Sequence, residues 1–348
     1  MGVRRLAMLV ALALALTGLT AGSLAACASG GLKVGLAYAA GGPGDHGFND
    51  SAFSGLNKAR TELSGSISTV KALTARPDES EATEYDRLTL LCEAGYNPVI
   101  AVGFSYAGRN PATGPLARAA KQCPNTEFAI VDDDTVQARN VANLVFADEQ
   151  GSFLMGVVAA NKTATGSVGF VGACPEPVIT RFLAGYQAGA RAVRPGVHVD
   201  VAYLSNQAGT CDFTDVDKAR SAAVRLYSGG TDIVFQVAGG AGVGVFEAAH
   251  DSGHLAIGVD ADQYQTVDQK LRPVIVTSMV KHVDVAVFDF IKSVVQGRFT
   301  RGVHRYDLAG GGIGYATSGG QITDLIPTLD TYRQEIISGA ITVPTTPS

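Results

Sequence analysis

The chain has 348 residues, with 27 Lys and Arg against 32 Asp and Glu and a formal net charge of −5. That length exceeds what one hydrophobic core usually serves, so two domains are expected. The acidic balance, with no basic cluster, argues against nucleic acid or anionic lipid headgroups as partners.

The first segment reads as an address. Arg4 and Arg5 precede an unbroken apolar run over 6–16 and a small, weakly polar stretch over 17–26, which is the order of a secretory signal peptide. The run is too short to span a bilayer, which takes about 20 residues. Leu24-Ala25-Ala26-Cys27 has the form of a bacterial lipobox. Residues 1–26 are therefore expected to be removed, Cys27 to be lipidated, and 27–32 to form the anchor and a short linker. Several acyl chains hold a protein firmly where one does not, so the expected location is the extracytoplasmic face of the cell membrane. Four cysteines remain: Cys92, Cys123, Cys174 and Cys211. Three pairings are open in an oxidising compartment; Cys92–Cys123 and Cys174–Cys211 are favoured because each falls within one predicted lobe. The absence of a CxxC spacing argues against a zinc site, and no metal is expected.

Beyond residue 32, strand and helix signals alternate. Strands are predicted over 33–38, 67–73, 98–102, 128–131 and 141–146, with helices over 51–63, 79–94 and 116–122 between them. The pattern then restarts with helices over 149–161, 179–193, 216–227, 243–252 and 283–295, and strands over 168–171, 199–204, 233–237, 255–259 and 274–279. A Gly-rich turn at 310–314, a helix over about 325–338 and a frayed tail at 341–348 complete the reading. Such alternation predicts an α/β protein with two doubly wound parallel-sheet lobes. Ligands of such sheets bind beyond the carboxyl ends of strands, which singles out the loop 41–50, Gly103-Phe104, Asp132, 239–242, Asp260 and 278–281.

Those loops carry a resemblance. The stretch GGPGDHGFNDSA at 41–52 resembles the GGxGDxxFNxSA signature of the basic membrane protein family, substrate-binding lipoproteins of ABC transporters whose best understood members are purine-nucleoside receptors. Further matches follow in order at 140–156, 168–172, 235–242, 257–263 and 277–284, so the resemblance runs from Lys33 to about Gly314. It implies a type I periplasmic-binding-protein fold, in which two lobes joined by crossing hinge segments close over a ligand. The crossings are expected near 140–143, 260–262 and 281–284. The N-terminal lobe is expected to hold 33–142 plus about 262–282, and the C-terminal lobe 143–261 plus about 283–340.

The resemblance also implies a site. Phe48 and Phe235 would face a nucleobase from opposite lobes, and stacking on an aromatic is worth about 1–3 kcal/mol per base. Asp260 and Lys281 match positions that hold ribose hydroxyls; a carboxylate accepts from a vicinal diol, and the lysine neutralises it. Gly239 and Gly240 would let the backbone approach the ligand. Asn49 either bonds the ligand or caps the first helix, and Asp132 either meets the base edge or serves a turn. Where many purine-binding relatives carry an acid after the first strand, this chain has Ala39, which leaves the base open. The expected partners are a nucleoside, with a purine favoured, and the permease of an ABC importer, served by a monomer without cofactor.

Three rival readings stay open: the same fold binding a sugar or another small polar ligand, a secreted nucleoside-processing enzyme, and a surface adhesin or sensory lipoprotein using the same cleft. Against an enzyme, Gly239-Gly240-Ala241-Gly242-Val243-Gly244 misses the GxGxxG spacing, no GxSxG elbow occurs, and Gly253 separates His250 from His254. No catalytic residue is assigned.

Overall fold

The computed structural model describes residues 30–348, so the expected signal peptide and the lipidation site Cys27 lie outside the described residues. The first lobe opens with β1 (Leu32–Ala37), α1 (Phe48–Glu62), β2 (Ile67–Leu73), α2 (Glu81–Glu93), β3 (Val99–Ala101), α3 (Pro115–Gln122), β4 (Phe128–Val131) and β5 (Val141–Phe146). The second follows with α4 (Asp148–Lys162), β6 (Ser167–Gly172), α5 (Pro177–Val193), β7 (His198–Tyr203), α6 (Val216–Ser228), β8 (Ile233–Val237), α7 (Val243–Ser252), β9 (Leu255–Asp260), α8 (Gln263–Thr266) and β10 (Ile275–Lys281). The chain returns to the first lobe through α9 (Val283–Val295) and β11 (Gly302–Tyr306), and ends in the second with β12 (Ile313–Tyr315) and α10 (Ile326–Ile337).

The first sheet has the order β11-β5-β4-β3-β1-β2 and the second β12-β10-β9-β8-β6-β7. Every pairing in the first is parallel, and in the second only β10–β12 is antiparallel. β4, β5 and β8 are buried along their whole length, as strands covered by helices on both faces must be. The edge strands β2, β7 and β11 are partly exposed and carry the polar residues. Helix ends follow local chemistry. Ser80 and Asp215 cap α2 and α6 by accepting from Thr83 N and Lys218 N, Pro115 and Pro177 start α3 and α5, and Gly253 ends α7 at φ 72°. The result is the expected pair of doubly wound lobes joined by crossing segments.

The expected lobe boundaries need correction. Residues 262–282 do not join the first lobe: β10 pairs with β9 inside the second sheet, with Val280 opposite Asp260. Conversely, α9 and β11 belong to the first lobe. Asp284 N donates to Ser51 Oγ of α1 at 3.1 Å, and β11 pairs with β5. The chain therefore crosses after Phe146, after Lys281 and after Tyr306; of the three expected crossings only that at 281–284 is one. β5 misled the sequence reading because a strand buried along its length, apolar but for Asn143, carries no mark of the sheet it joins. β11 and β12 are short, polar or Gly-rich edge strands with weak strand signals. The tail also differs from expectation: Val343 is buried, and Ser348 N donates to Gln187 Oε1 of α5 at 3.2 Å.

Cys92 is bonded to Cys123 within the first lobe and Cys174 to Cys211 within the second, with Cα separations of 6.3 and 4.9 Å. The second bridge ties the loop after β6 to the loop that carries Phe213. Gly185 of α5 lets that helix lie against α4, since a Cβ there would fall 2.0 Å from Glu149 O.

Candidate ligand-binding cleft

The loop between β1 and α1 is built from its own side chains. The buried Asp45 carboxylate accepts from the backbone N–H of Gly47 at 3.0 Å, Asn49 at 2.8 Å and Asp50 at 3.2 Å, satisfying donors that the helix N-terminus leaves open. Burial raises the Asp45 pKa against the pull of those donors. Asn49 gives its amide to Asp45 at 3.0 Å and accepts from Ala39 N at 3.1 Å, so its side chain fastens the loop to β1. Asp50 accepts from Gly44 N and His46 N. This lacing fixes Phe48, half-buried, as the first residue of α1.

Lys281 ends β10 and is 1% exposed. Its ammonium donates to Asp132 Oδ2 at 2.7 Å and lies 3.1 Å from Asp148 Oδ1, an ion-pair contact outside hydrogen-bond alignment. The rings of Phe146, Phe48 and Phe182 surround it, with centroids at 4.9, 5.3 and 5.4 Å. Burial opposes the charge, but Asp132, Asp148 and Asp260 outweigh it and hold the lysine pKa above its ordinary value.

Asp260 ends β9 with φ 66° and is 8% exposed. Among the described residues no ion pair joins it to Lys281; the direct carboxylate partners of that lysine are Asp132 and Asp148. The expected Asp260–Lys281 pairing is thus replaced by a field: burial pushes the Asp260 pKa up to about 7, Lys281 opposes this, and Asp132, Asp45 and Asp148 add to it. Asp148, also raised to about 7 by burial against the opposing Lys281, is the member that sequence reasoning missed. Its position at the start of α4 reads as an ordinary acid at a helix N-terminus. Asp132 leaves β4 at φ 67°, and its second oxygen, Oδ1, is buried without a partner.

Phe235 does not present a face to the cleft. It is fully buried, with ring centroids 5.9 Å from Phe170, 5.3 Å from Tyr186 and 6.4 Å from Phe182. The side-chain alternation of β8 sends it into the core beneath α5. The structure instead brings two other rings together across the cleft. Phe104, after β3 in the first lobe, meets Phe213 of the second in an edge-on contact at 6.3 Å. Gly239, at φ 56°, makes room for Phe213, whose ring atom would lie 3.2 Å from a Cβ there. Gly240 faces Asp45, 3.6 Å from its Cβ by the same measure. Thr266 Oγ1 donates to His46 O at 3.3 Å from the opposite lobe. The two lobes are therefore closed on each other around the Asp132, Lys281 and Asp260 cluster.

This fold and this cleft have relatives. The family described as ABC transporter substrate-binding protein PnrA-like matches the chain over residues 33–347. The chain belongs to this family. It is 34% identical to a CD4+ T-cell-stimulating antigen of Listeria monocytogenes, covering 88% of this chain and 86% of that protein. It is 33% identical to the ABC transporter nucleoside-binding protein BmpA of Lactococcus lactis, covering 90% and 89%. Among solved structures, an ABC transporter solute-binding protein of Aeropyrum pernix aligns at a TM-score of 0.75 and 26% identity, covering 90% of this chain and 94% of that one. The resemblance to the basic membrane protein family and the periplasmic-binding-protein fold drawn from the sequence both hold. The family is one of substrate-binding transport proteins, not of enzymes. No helix among the described residues is long and apolar enough to cross a membrane.

In this substrate-binding protein, the signals for the missed residues were present but weak. Phe104 lies in a loop that sequence reading flags without giving it a role. Phe213 follows Cys211 in a segment without periodicity, so only tertiary contact reveals it.

Proposed function

We propose that this protein captures a nucleoside between its lobes and delivers it to an ABC importer while tethered to the outer face of the membrane through Cys27. The observation that carries this reading is the set of unused bonding positions around Lys281, whose ammonium lies 5.3 Å from the centroid of the Phe48 ring. An ammonium has three donors; Lys281 gives one to Asp132 and is held by charge beside Asp148, which leaves a proton for a ligand oxygen. Asp132 Oδ1 is buried without a partner, and the Asp260 carboxylate, 8% exposed, is a second acceptor not taken up by an ion pair with Lys281. One donor beside two acceptors complements a vicinal diol, whose hydroxyls both give and accept. The partly buried rings of Phe48, Phe104 and Phe213 supply flat apolar surface for a base. The Lactococcus relative, whose name states nucleoside binding, agrees in class.

Ala39 keeps the base open. An acid there would accept from a base N–H, whereas Ala39 offers only a methyl beside Gly103. The reading is therefore broad acceptance of bases with purines favoured. A free sugar is the second reading, since the diol-binding groups serve either. Mass spectrometry of the small molecule released on denaturing the purified protein tests the choice. A nucleoside is expected, and a sugar without a base would support the alternative. Calorimetry across adenosine, guanosine, inosine, cytidine and uridine tests the base reading, and tight binding of a single purine alone would contradict it. Cys27→Ser is expected to release the protein into the medium; undiminished membrane retention would refute the anchor.

A further inference from the structure

Lys281 is held from two sides of the hinge. Asp132 reaches it from the loop after β4, and Asp148 from the first residue of α4, directly after the first crossing. Lys281 itself is the last residue before the second crossing. Asp148 is 1% exposed, and the three surrounding rings close most other approaches to the ammonium. The hydrogen bond to Asp132 fixes one N–H, and the pull of the Asp148 carboxylate at 3.1 Å restricts rotation of the other two about it. If Asp148 were absent, the ammonium would be free to rotate about its contact with Asp132.

We infer that Asp148 is a positioning residue of the binding site: it acts through Lys281, aiming the remaining N–H at the ligand, and it does so when the two crossings lie side by side in the closed form. The inference rests on the proposed diol-binding role of Lys281 and adds a residue at the hinge, on a different element from the ligand contacts. It makes closure and ligand orientation one event, because the carboxylate that aims the lysine belongs to the segment that must move.

The charged groups facing Asp148 are Lys281 from β10, Asp132 from the loop after β4 and Arg181 from α5; those facing Asp260 are Lys281, Asp132, Asp45 and Asp148. Asp148→Asn therefore removes a like charge from the surroundings of Asp260 and leaves Lys281 to the remaining carboxylates. Asp260 must then ionise at lower pH. A residue whose charge did not reach the cluster would leave that midpoint alone, and the affinity arm then separates positioning from charge alone. Asn is nearly isosteric with the protonated acid, so the variant is expected to fold.

The test has two arms. In the ligand-free protein, the Asp260 carboxyl carbon resonance is followed against pH, with Asp260→Asn for assignment. Asp148→Asn should move its midpoint down from about 7, and Asp148→Glu, which restores the charge, should bring it back. An unmoved midpoint overturns the inference whether or not nucleosides bind. In the second arm, nucleoside affinity is measured at pH 8, where Asp148→Asn should weaken binding about tenfold, the scale of one charge-assisted hydrogen bond. Wild-type binding with equal affinity in the variant would refute the positioning role alone. A wild-type protein that binds no nucleoside would refute the proposed function and leave the resonance arm to decide on Asp148.

Discussion

Replacing Lys281 by Met tests whether one ammonium is the counter-ion of the whole cleft. The substitution keeps the apolar stem among Phe48, Phe146 and Phe182 and removes the charge from contact with Asp132 and Asp148. Removing one partner of a buried pair costs about 3–5 kcal/mol. The cost must depend on pH in a stated direction. Asp148 and Asp260 sit at about 7 with the lysine present. At pH 5.5 both are already protonated, and Lys281→Met then breaks little more than the contact with Asp132. At pH 8 both are ionised, and without the lysine each must remain unpaired or take up a proton, at about 1.4 kcal/mol per unit of pKa change. Urea unfolding at the two pH values, with unchanged m-value, reads the difference. The expected loss is about 3–5 kcal/mol at pH 5.5, from the buried pair with Asp132, and larger at pH 8, where Asp148 and Asp260 also lose their counter-ion. Equal losses at both, or a loss below about 1 kcal/mol at pH 8, would show that Lys281 does not neutralise the cluster.

Further outcomes follow from the same geometry. In the wild-type protein both raised carboxyls make the folded state hold more protons than the unfolded state between about pH 4 and 7, so their contribution to stability should decline as pH rises through that window, and the Asp148→Asn, Asp260→Asn double variant should flatten the decline in a stability-against-pH curve. Asp260→Asn alone should weaken nucleoside binding at least about tenfold at pH 8 without loss of stability; binding at wild-type strength would remove Asp260 from the site. Phe48→Ala and Phe213→Ala should each weaken binding by about 1–3 kcal/mol of stacking, measured by calorimetry, and neither should do so if the ligand is a bare sugar that avoids the rings. Phe235→Ala should cost about 3–5 kcal/mol of folding stability as a core truncation while the folded protein keeps its affinity; a selective loss of affinity would return Phe235 to the cleft.

The sequence carried the strand–helix alternation, and with it the parallel sheets, because central strands such as Phe128–Val131 and Ile233–Val237 are buried throughout and bounded by turn residues. It did not carry the partition into lobes. Val141–Phe146 and Ile275–Lys281 each pair with the strand just before them in the chain, and their own residues do not say so. At the site, motif positions led to Phe48, Asp260 and Lys281 and the strand-end rule to Asp132, which the fold brings together with Asp148. They failed at Phe235, where a residue in a motif proved to be core, because a strand motif does not say which face of the sheet a side chain takes. Asn49 illustrates a different limit: its chemistry suited both ligand and loop, and the loop uses it. Phe104 and Phe213 lie far apart in sequence and meet only across the closed lobes.

The central claim is that the closed cleft is built for a base joined to a diol. Isothermal titration of the purified protein with adenosine and with free ribose at pH 8 measures this most directly. The account predicts saturable one-to-one binding of the nucleoside, tighter than ribose by at least the stacking of one base, about 1–3 kcal/mol or roughly 5- to 150-fold. Equal affinity for the two, or binding of ribose alone, would contradict it.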